Sequence, residues 1–213
     1  MSTIKKIAGV LCMMAAVSCG QGGGEQEVAV SADGNTNPVI ENIMARRSIR
    51  RYKDTVVDRK IMEQILRCGI NAPNGQNRQS WEVRVVDNPA TMEEIKAMMA
   101  DGLPEEEAER ARVSFREAPV MVFIARDLSY DFSAYDCGLL AQNMMLSATS
   151  LGVGSICLGS PVRAVYNSPK AEAVIEKLGF SKGYELCLCV GFGYADETPD
   201  AKPRDWGKVK FLD

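Results

Sequence analysis

The spacing of apolar residues predicts helices and strands in alternation along the chain. Asn37 and Pro38 open a first helix, whose apolar positions recur every three or four residues up to a cluster of arginines. Asp58 opens a second helix with the same periodicity. Further helices are expected from Thr91, with Glu94 as its capping-box partner, to about Ala100, from Pro104 to Arg116, and from Pro169 to Leu178, which Gly179 ends.

Four shorter segments are typical of strands. Trp81, Val83 and Val85 alternate with polar residues, and Val120 to Ala125 is a continuous apolar run that favours a strand covered on both faces. Two more strands are expected at Ser155 to Leu158 and at Tyr184 to Gly191. No G-x-G-x-x-G follows any of them, so a Rossmann dinucleotide site is unsupported.

The segment from Asp131 to Leu151 is apolar almost all round, which predicts a buried central helix, either within one chain or shared with a second subunit. Helices interleave with strands, but the strands are few and uneven. One domain, from residue 37 to residue 213, is the default for this length.

Residues 1–18 are typical of a secretory signal. Lys5 and Lys6 precede an apolar stretch, and Cys19 follows Ala16-Val17-Ser18. This junction resembles a bacterial lipobox, with Ala16 where that motif usually has Leu. The resemblance implies cleavage before Cys19, lipidation of its thiol, and a protein attached to the bacterial cell envelope, in the periplasm or on the outer surface. Residues 19–36, rich in Gly, Gln, Glu and Asn, are expected to be a flexible tether.

Composition excludes several kinds of chemistry. Loss of Lys5 and Lys6 with the signal would move the formal net charge from -3 to -5, so nucleic acid is not an expected partner. Histidine is absent, which excludes Ser-His and Cys-His nucleophilic machinery and His-ligated metal. Beyond Cys12 and Cys19 the chain has five cysteines, whose spacing fits no zinc pattern. We expect these cysteines to be buried, with Cys187 and Cys189 on one face of their strand.

Two basic clusters are candidates for binding a phosphate. The first is Arg46-Arg47-Ser48-Ile49-Arg50-Arg51-Tyr52, and the second is Lys202-Pro203-Arg204. Guanidinium groups match phosphate oxygens in a bidentate way, and Ser48 can add a neutral hydrogen bond. A solvated basic turn is the alternative reading of the first cluster.

Four segments in this order resemble the FMN-dependent nitroreductase family. They are the first basic cluster; Ala72-Pro73-Asn74-Gly75-Gln76-Asn77-Arg78-Gln79-Ser80-Trp81; the unit from Asp136 to Gly159; and Gly191-Phe192-Gly193-Tyr194 with Lys202-Pro203-Arg204. The resemblance covers the chain from Pro38 onward. It implies an α+β fold, a three-layer α-β-α sandwich with a mixed, mostly antiparallel sheet, a long buried central helix and a homodimer.

The resemblance also implies a set of FMN-binding residues. The phosphate and ribityl end would contact Arg46, Arg47, Ser48, Lys202 and Arg204, while Arg50 would lie near N1 and O2 of the flavin ring, where positive charge stabilises the reduced flavin. Asn77 would contact the isoalloxazine, and Pro73, Asn74 and Gly75 would reach it from the neighbouring subunit. Leu158 and Gly159 fall where the family has the backbone donor to N5, although an ordinary strand-ending turn fits them equally well.

The chain departs from the family pattern at two places. Ser80 replaces the usual proline before Trp81, which we expect to cost only loop rigidity. The chain between the acidic helix and the central helix is short, so the insertion that covers the substrate pocket in many relatives is missing. Trp81 and Trp206 are expected to be packing residues rather than cofactor contacts.

The function implied is that of an oxidoreductase in which FMN accepts a hydride, with NAD(P)H as the family's donor, and a nitro compound, quinone or enone is reduced. No metal is implied. NAD(P)H is not expected outside the cytoplasm, so a lipoprotein would need another reductant. Two alternatives stay open: a lipid-anchored flavin-binding or sensing protein without turnover, and a related flavin reaction such as reductive dehalogenation.

Overall fold

The computed structural model describes residues 37–212. The predicted signal at residues 1–18, the lipidation site Cys19 and the tether at residues 19–36 lie outside the described residues. The chain divides into two compact units, and their described parts are residues 37–204 and residues 205–212. Each is described by itself.

The larger unit is built on one four-stranded sheet. Its strands are β1 (Trp81–Val86), β2 (Val120–Asp127), β3 (Gly154–Leu158) and β4 (Tyr184–Gly193). The order across the sheet is β1-β2-β4-β3, and all three neighbouring pairs are antiparallel. A parallel element is added by an isolated bridge between Ser48 and Ser155 at the β3 edge. The first six residues of β2 are buried, as expected of a strand covered on both faces.

Seven α-helices surround this sheet in the described part of the chain. They are α1 (Pro38–Ala45), α2 (Arg59–Ile70), α3 (Pro89–Ala100), α4 (Glu105–Arg112), α5 (Ser133–Ser150), α6 (Ser160–Asn167) and α7 (Ala171–Leu178). Helix α5 is the predicted central helix and matches its expected bounds within two residues. Helix α6 was not predicted from the sequence.

Two apolar cores lie on opposite faces of the sheet, which confirms the α+β three-layer architecture. One core joins the sheet to α3, α4, α6 and α7, with Phe115 and Phe123 at its centre. The other joins it to α2 and α5, through Ile65, Met144 and neighbouring residues. A Cβ atom built on Gly69 of α2 would lie 2.5 Å from Cγ of Met144, so the absence of a side chain there allows α2 and α5 to approach closely.

The helix termini follow the local sequence, with two corrections. Side chains of Asn37 and Asp58 accept hydrogen bonds from the first turns of α1 and α2, as predicted. Helix α3, however, begins at Pro89 with Asn88 as its cap, two residues before the expected start at Thr91. The acidic helix ends at Arg112 and continues only as a 3-10 turn, since Arg116 adopts a left-handed conformation.

The predicted placement of the cysteines is wrong in two respects. Cys157 is exposed and Cys68 and Cys187 are only partly buried, so burial holds for Cys137 and Cys189. In addition, the register of β2 and β4 shifts between Ile124 and Ala125. This bulge adds one residue to β4, and as a result Cys187 and Cys189 belong to the cores on opposite faces of the sheet.

Helix α5 is covered on one side only within a single chain. Its buried residues face the sheet and α2, whereas Tyr135 and Leu139 are 68% and 43% exposed. Helix α1 packs on α5, with Nδ2 of Asn42 donating to the carbonyl oxygen of Leu146 at 2.9 Å, yet none of its residues is buried. An apolar face formed by α1 and α5 is thus left open.

The smaller described unit is a short segment. A 3-10 turn spans Trp206–Lys208, and the carboxylate of Asp205 caps it by accepting from the backbone N–H of Gly207 at 3.0 Å. Trp206 is 73% exposed, so the expectation that this residue packs is wrong for the single chain.

Candidate functional site

The first basic cluster lies along the free edge of β3. Ser48 pairs with Ser155 in a parallel bridge, and the backbone N–H of Ile49 donates to the carbonyl oxygen of Ser155 at 3.0 Å. Since Ser155 is three residues before Leu158, this pairing brings the predicted phosphate-binding segment beside the predicted backbone donor to the flavin. Residues 100 positions apart in sequence are therefore brought together at one edge of the sheet.

The chain after β4 holds the other side of this segment. Backbone bonds join Lys53 to Tyr194 at 2.8 Å and Asp196 to Arg51 at 3.0 Å. The carboxylate of Glu197 accepts from the backbone N–H groups of Arg50, at 2.5 Å, and of Arg51, at 3.3 Å. The Arg50 N–H bond lowers the pKa of Glu197, and the positive charges of Arg51 and Arg50 act in the same direction. Glu197 thus anchors the backbone of the basic segment, a role that was not predicted from the sequence.

Tyr52 ends the basic segment as a packed residue. Its hydroxyl donates to the carbonyl oxygen of Ile49 at 2.9 Å, and burial raises the pKa of this phenol. A Cβ atom on Gly193 would lie 2.6 Å from both the ring of Tyr52 and Pro119, so a glycine is required where the ring crosses the end of β4. These contacts fix the backbone from which the arginines project.

The arginines of the cluster keep their positive charge available. Among residues 37–212, only Arg51 of this cluster forms an ion pair, with Glu197 at 3.5 Å. Arg47 and Arg50 donate instead to the backbone carbonyl oxygens of Met44 and Ser48. Arg guanidinium groups without carboxylate partners suit a dianionic phosphate. This favours the phosphate-binding reading over a solvated turn.

The turn between β3 and α6 leaves room for a planar ligand. Gly159 is the residue before α6, and nothing lies within 4 Å of a Cβ atom built on it. Nearby on β3, the hydroxyl of Ser155 is buried and has no hydrogen-bond partner among the described residues. The open space beside the backbone turn at Gly159 fits a bound group at that position.

Cys157 lies between these two residues and was not predicted as part of the site. Cys157 is exposed. Partial burial of the thiol raises its pKa, while the nearby charge of Arg46 opposes this. Alternation along the strand could have suggested Cys157 as a site residue, since it shares a face with Ser155.

The loop that carries Pro73, Asn74, Gly75 and Asn77 has a distinctive backbone. It contains a 3-10 turn at Gly75–Asn77, and Gln76, Asn77 and Gln79 all adopt left-handed conformations. Such conformations cost energy in residues other than glycine and persist where surrounding contacts impose them. Within the loop, Oδ1 of Asn74 accepts from the backbone N–H of Gln79 at 2.8 Å.

A buried carboxylate of α5 holds this loop. Asp136 is 3% exposed, and it accepts from the backbone N–H of Gly75 at 3.0 Å and from the hydroxyl of Ser80 at 2.6 Å. The expectation that Ser80 costs only rigidity is therefore wrong. In place of the missing proline ring, its hydroxyl ties the end of the loop to the first turn of α5.

Aromatic side chains border the same loop. The guanidinium of Arg78 stacks over the ring of Tyr130 at 4.5 Å, and Tyr130 makes an edge contact with Phe132 at 5.7 Å. A Cβ atom on Gly75 would lie 1.9 Å from the Tyr130 hydroxyl oxygen, so Gly75 and Tyr130 are in close contact. Phe132 is 57% exposed, which leaves this border open to solvent.

The two parts of the predicted site lie at opposite edges of one sheet. The basic cluster and Gly159 lie at the β3 edge, and the Pro73–Asn77 loop leads into β1 at the other edge. Three strand spacings of about 4.8 Å each separate these edges. One chain does not bring the parts together.

The second basic cluster lies in an exposed segment after Glu197. Lys202 and Arg204 are both exposed, and the guanidinium of Arg204 donates to the carbonyl oxygen of Lys202 at 2.9 Å. No hydrogen bond among the described residues joins this pair to Arg46 or Ser48.

The described residues contain neither a candidate metal cluster nor a candidate membrane-spanning helix. Within residues 37–212, no cluster of three or more potential ligand side chains could hold a metal ion. None of the helices in that range combines the length and apolarity needed to cross a bilayer.

Comparison with known proteins gives consistent matches. The profile of the Nitroreductase family matches residues 43–194. The chain is 33% identical over 165 residues to the NADH dehydrogenase of Thermus thermophilus, covering 74% of this chain and 72% of that protein. It is 27% identical over 174 residues to the NADPH-flavin oxidoreductase of Vibrio harveyi, covering 79% and 70%.

A solved structure matches the fold over nearly the same length. It is the nitroreductase with bound FMN from Desulfitobacterium hafniense, with a TM-score of 0.72 and 30% sequence identity. The match covers 84% of this chain and 100% of that one.

Proposed function

Since the chain belongs to the nitroreductase family, we propose that it reduces a small organic acceptor, such as a nitro compound, a quinone or an enone, at a site shared by two subunits. The general class does not depend on the identity of the acceptor. The protein is an oxidoreductase of the nitroreductase and NAD(P)H-flavin oxidoreductase type, and its cofactor is FMN.

The observation that carries the proposal is the position of the basic cluster. Arg46, Arg47 and Arg50 have no carboxylate partners within the described residues, and their segment pairs with β3, the strand that leads to the turn with open space at Gly159. A cofactor with a phosphate at one end and a planar ring at the other needs both free cations and open space. A solvated basic turn would not require the pairing of Ser48 with Ser155.

When bound, FMN supplies two-electron chemistry between a reduced donor and an acceptor. Arg46, Arg47 and Ser48 would bind the phosphate and ribityl end, with Lys202 and Arg204 as further cations. Arg50 would supply positive charge near the ring, and the backbone of Leu158 and Gly159 would supply a donor to it. Asn77 would contact the ring, and Pro73, Asn74 and Gly75 would close the site.

The proposal includes a homodimer. Within one chain the basic cluster and the Pro73–Asn77 loop lie at opposite edges of the sheet, and α1 and α5 leave an apolar face uncovered. A two-fold dimer through α1 and α5 would bury that face and place each loop opposite the partner's basic cluster.

We also propose that the protein is attached to the bacterial cell envelope through a lipid on Cys19. Support comes from the sequence of residues 1–19 alone, in which a charged start, an apolar stretch and small residues precede Cys19. Labelling with a radioactive fatty acid tests it: Cys19→Ala should abolish incorporation, and unchanged labelling would exclude lipidation at this thiol. In this location the electron donor in the cell would be a reductant other than cytoplasmic NAD(P)H.

The test of the site is titration of the apoprotein with FMN. We expect Arg46→Ala to weaken binding roughly 10- to 150-fold, because a hydrogen-bonded contact to a charged group contributes about 1.5 to 3 kcal/mol. Arg59→Ala is the matched control, since Arg59 is exposed and already paired with Asp87 at 2.5 Å. Equal affinities for the two variants would contradict the assignment of the basic cluster.

A further inference from the structure

A pair of thiols lies in the core between α5 and the sheet, away from the basic cluster. Cys137 is 1% exposed and Cys187 is partly buried, and both belong to the same core. Their sulfur atoms lie near consecutive carbonyl groups of β2, with Sγ of Cys137 3.7 Å from the oxygen of Ala125 and Sγ of Cys187 3.5 Å from that of Ile124. Each thiol is the largest influence on the pKa of the other, raising that of Cys137 and lowering that of Cys187.

The bulge in β4 creates this arrangement. Without the register shift at Ile124 and Ala125, strict alternation would direct Cys187 to the same face as Cys189, away from α5. With the shift, Cys187 faces the core on the α5 side of the sheet, to which Cys137 belongs. The pairing is therefore a product of the tertiary structure.

We propose that Cys137 and Cys187 form an intrachain disulfide when the protein meets a disulfide oxidant. Neither residue is among those assigned to the flavin site, so the inference goes beyond that site and does not depend on it. For the oxidant in the cell it rests on the envelope location proposed above, where disulfide oxidants are present.

The environment of the pair assigns a role to each thiol. The hydrogen bond from Cys137 lowers the pKa of Cys187, and the nearby charge of Arg126 adds to this effect. Arg126 itself is held by Glu185 at 2.6 Å. Cys187, the more exposed of the two and the better thiolate, is thus the attacking group, and Cys137 is the resolving thiol.

The reaction balances without other cofactors. The Cys187 thiolate attacks one sulfur of the oxidant, forms a mixed disulfide and releases one thiol. Sγ of Cys137 then attacks Sγ of Cys187, loses its proton and releases the second thiol. Two protein thiols lose two electrons and two protons in total, and the oxidant disulfide gains them. The product links the first turns of α5, next to Asp136, to β4.

Oxidation with glutathione disulfide tests the proposal on the full chain. After alkylation of the remaining thiols and tryptic digestion, we expect a cross-linked pair of peptides, residues 127–163 with residues 183–204, lighter by about 2 Da than the sum of the free peptides. Each peptide contains two cysteines, so variants must identify the bond. The cross-link should persist in Cys157→Ser and disappear in Cys187→Ser.

A second measurement does not depend on peptide assignment. The oxidised parent should melt roughly 5 to 15 °C above the reduced parent, because the bond closes a long loop of the unfolded chain. Oxidised and reduced Cys187→Ser should melt alike. Glutathione attached to Cys187 with no cross-link, or a cross-link that survives in Cys187→Ser, would overturn the proposal. FMN titration of the same samples would show separately whether the flavin site is correct.

Discussion

The hydroxyl of Ser80 donates to the buried carboxylate of Asp136 at 2.6 Å and so fastens the Pro73–Asn77 loop to α5. The same carboxylate accepts from the backbone N–H of Gly75, a residue at the centre of that loop. One side chain on a helix thus fixes the centre of a strained turn and the residue that leads from it into β1. The loop does not need the proline usual before Trp81 because this contact replaces its rigidity.

Ser80→Ala should therefore loosen the loop. Removing a hydrogen bond to a buried charged group should destabilise the protein by about 1.5 to 3 kcal/mol, measured by urea unfolding. Ser129→Ala is the matched control: Ser129 also donates to a carboxylate, that of Asp127 at 2.7 Å, but on an exposed surface, and we expect no measurable loss of stability. Equal losses would show that burial of Asp136 has no energetic consequence.

Cys157 offers a direct test of where FMN binds. This exposed thiol lies between Ser155 and Gly159, beside Arg46. Iodoacetamide should label it in the apoprotein, and FMN at about 100 times its Kd should slow the labelling by up to about 100-fold. Cys68 on α2, which is partly buried and lies outside the proposed site, provides the internal reference. If neither thiol is protected in a sample shown to hold flavin, the cofactor does not bind beside β3.

Glu197 should make the position of the basic segment dependent on pH. Its pKa is lowered in the folded protein, below its ordinary value of 4.5. A lowered carboxyl pKa contributes stability above the ordinary pKa, and this contribution is lost as the pH falls through the folded value. Glu197→Gln should thus unfold at lower urea concentration than the parent at pH 7. The two curves should converge below about pH 4, whereas a constant difference across this range would exclude titration of Glu197 as the cause.

Refolded mixtures of two defective variants can test the shared site. Arg46→Ala with Arg50→Ala would break the basic cluster, and Gly75→Val would break the loop by collision with Tyr130. A mixed dimer would contain one doubly defective site and one intact site. Random pairing makes about half of the dimers mixed, so flavin content should recover to about a quarter of the parent value. Absence of recovery, with mixed dimers present, would mean that each subunit builds its own site.

Much of this protein follows from its sequence alone. The caps at Asn37 and Asp58 and the buried strand β2 depend on side chains close in sequence, so local pattern predicts them well. The α+β class, the family and its cofactor followed from motifs whose order is visible in the chain. The basic cluster was likewise visible, because its residues are consecutive.

Tertiary structure decided the features that depend on contacts between distant residues. Three such features involve elements from different parts of the chain. They are the hydrogen bond of Glu197 to the basic segment, the hydrogen bond between Ser80 and Asp136, and the exposure of Cys157. The bulge between β2 and β4 shows the physical reason most clearly. A one-residue shift in strand pairing reverses the face of Cys187, and the packing of two strands and α5 selects that shift, whereas the alternation of residues within β4 carries no sign of it.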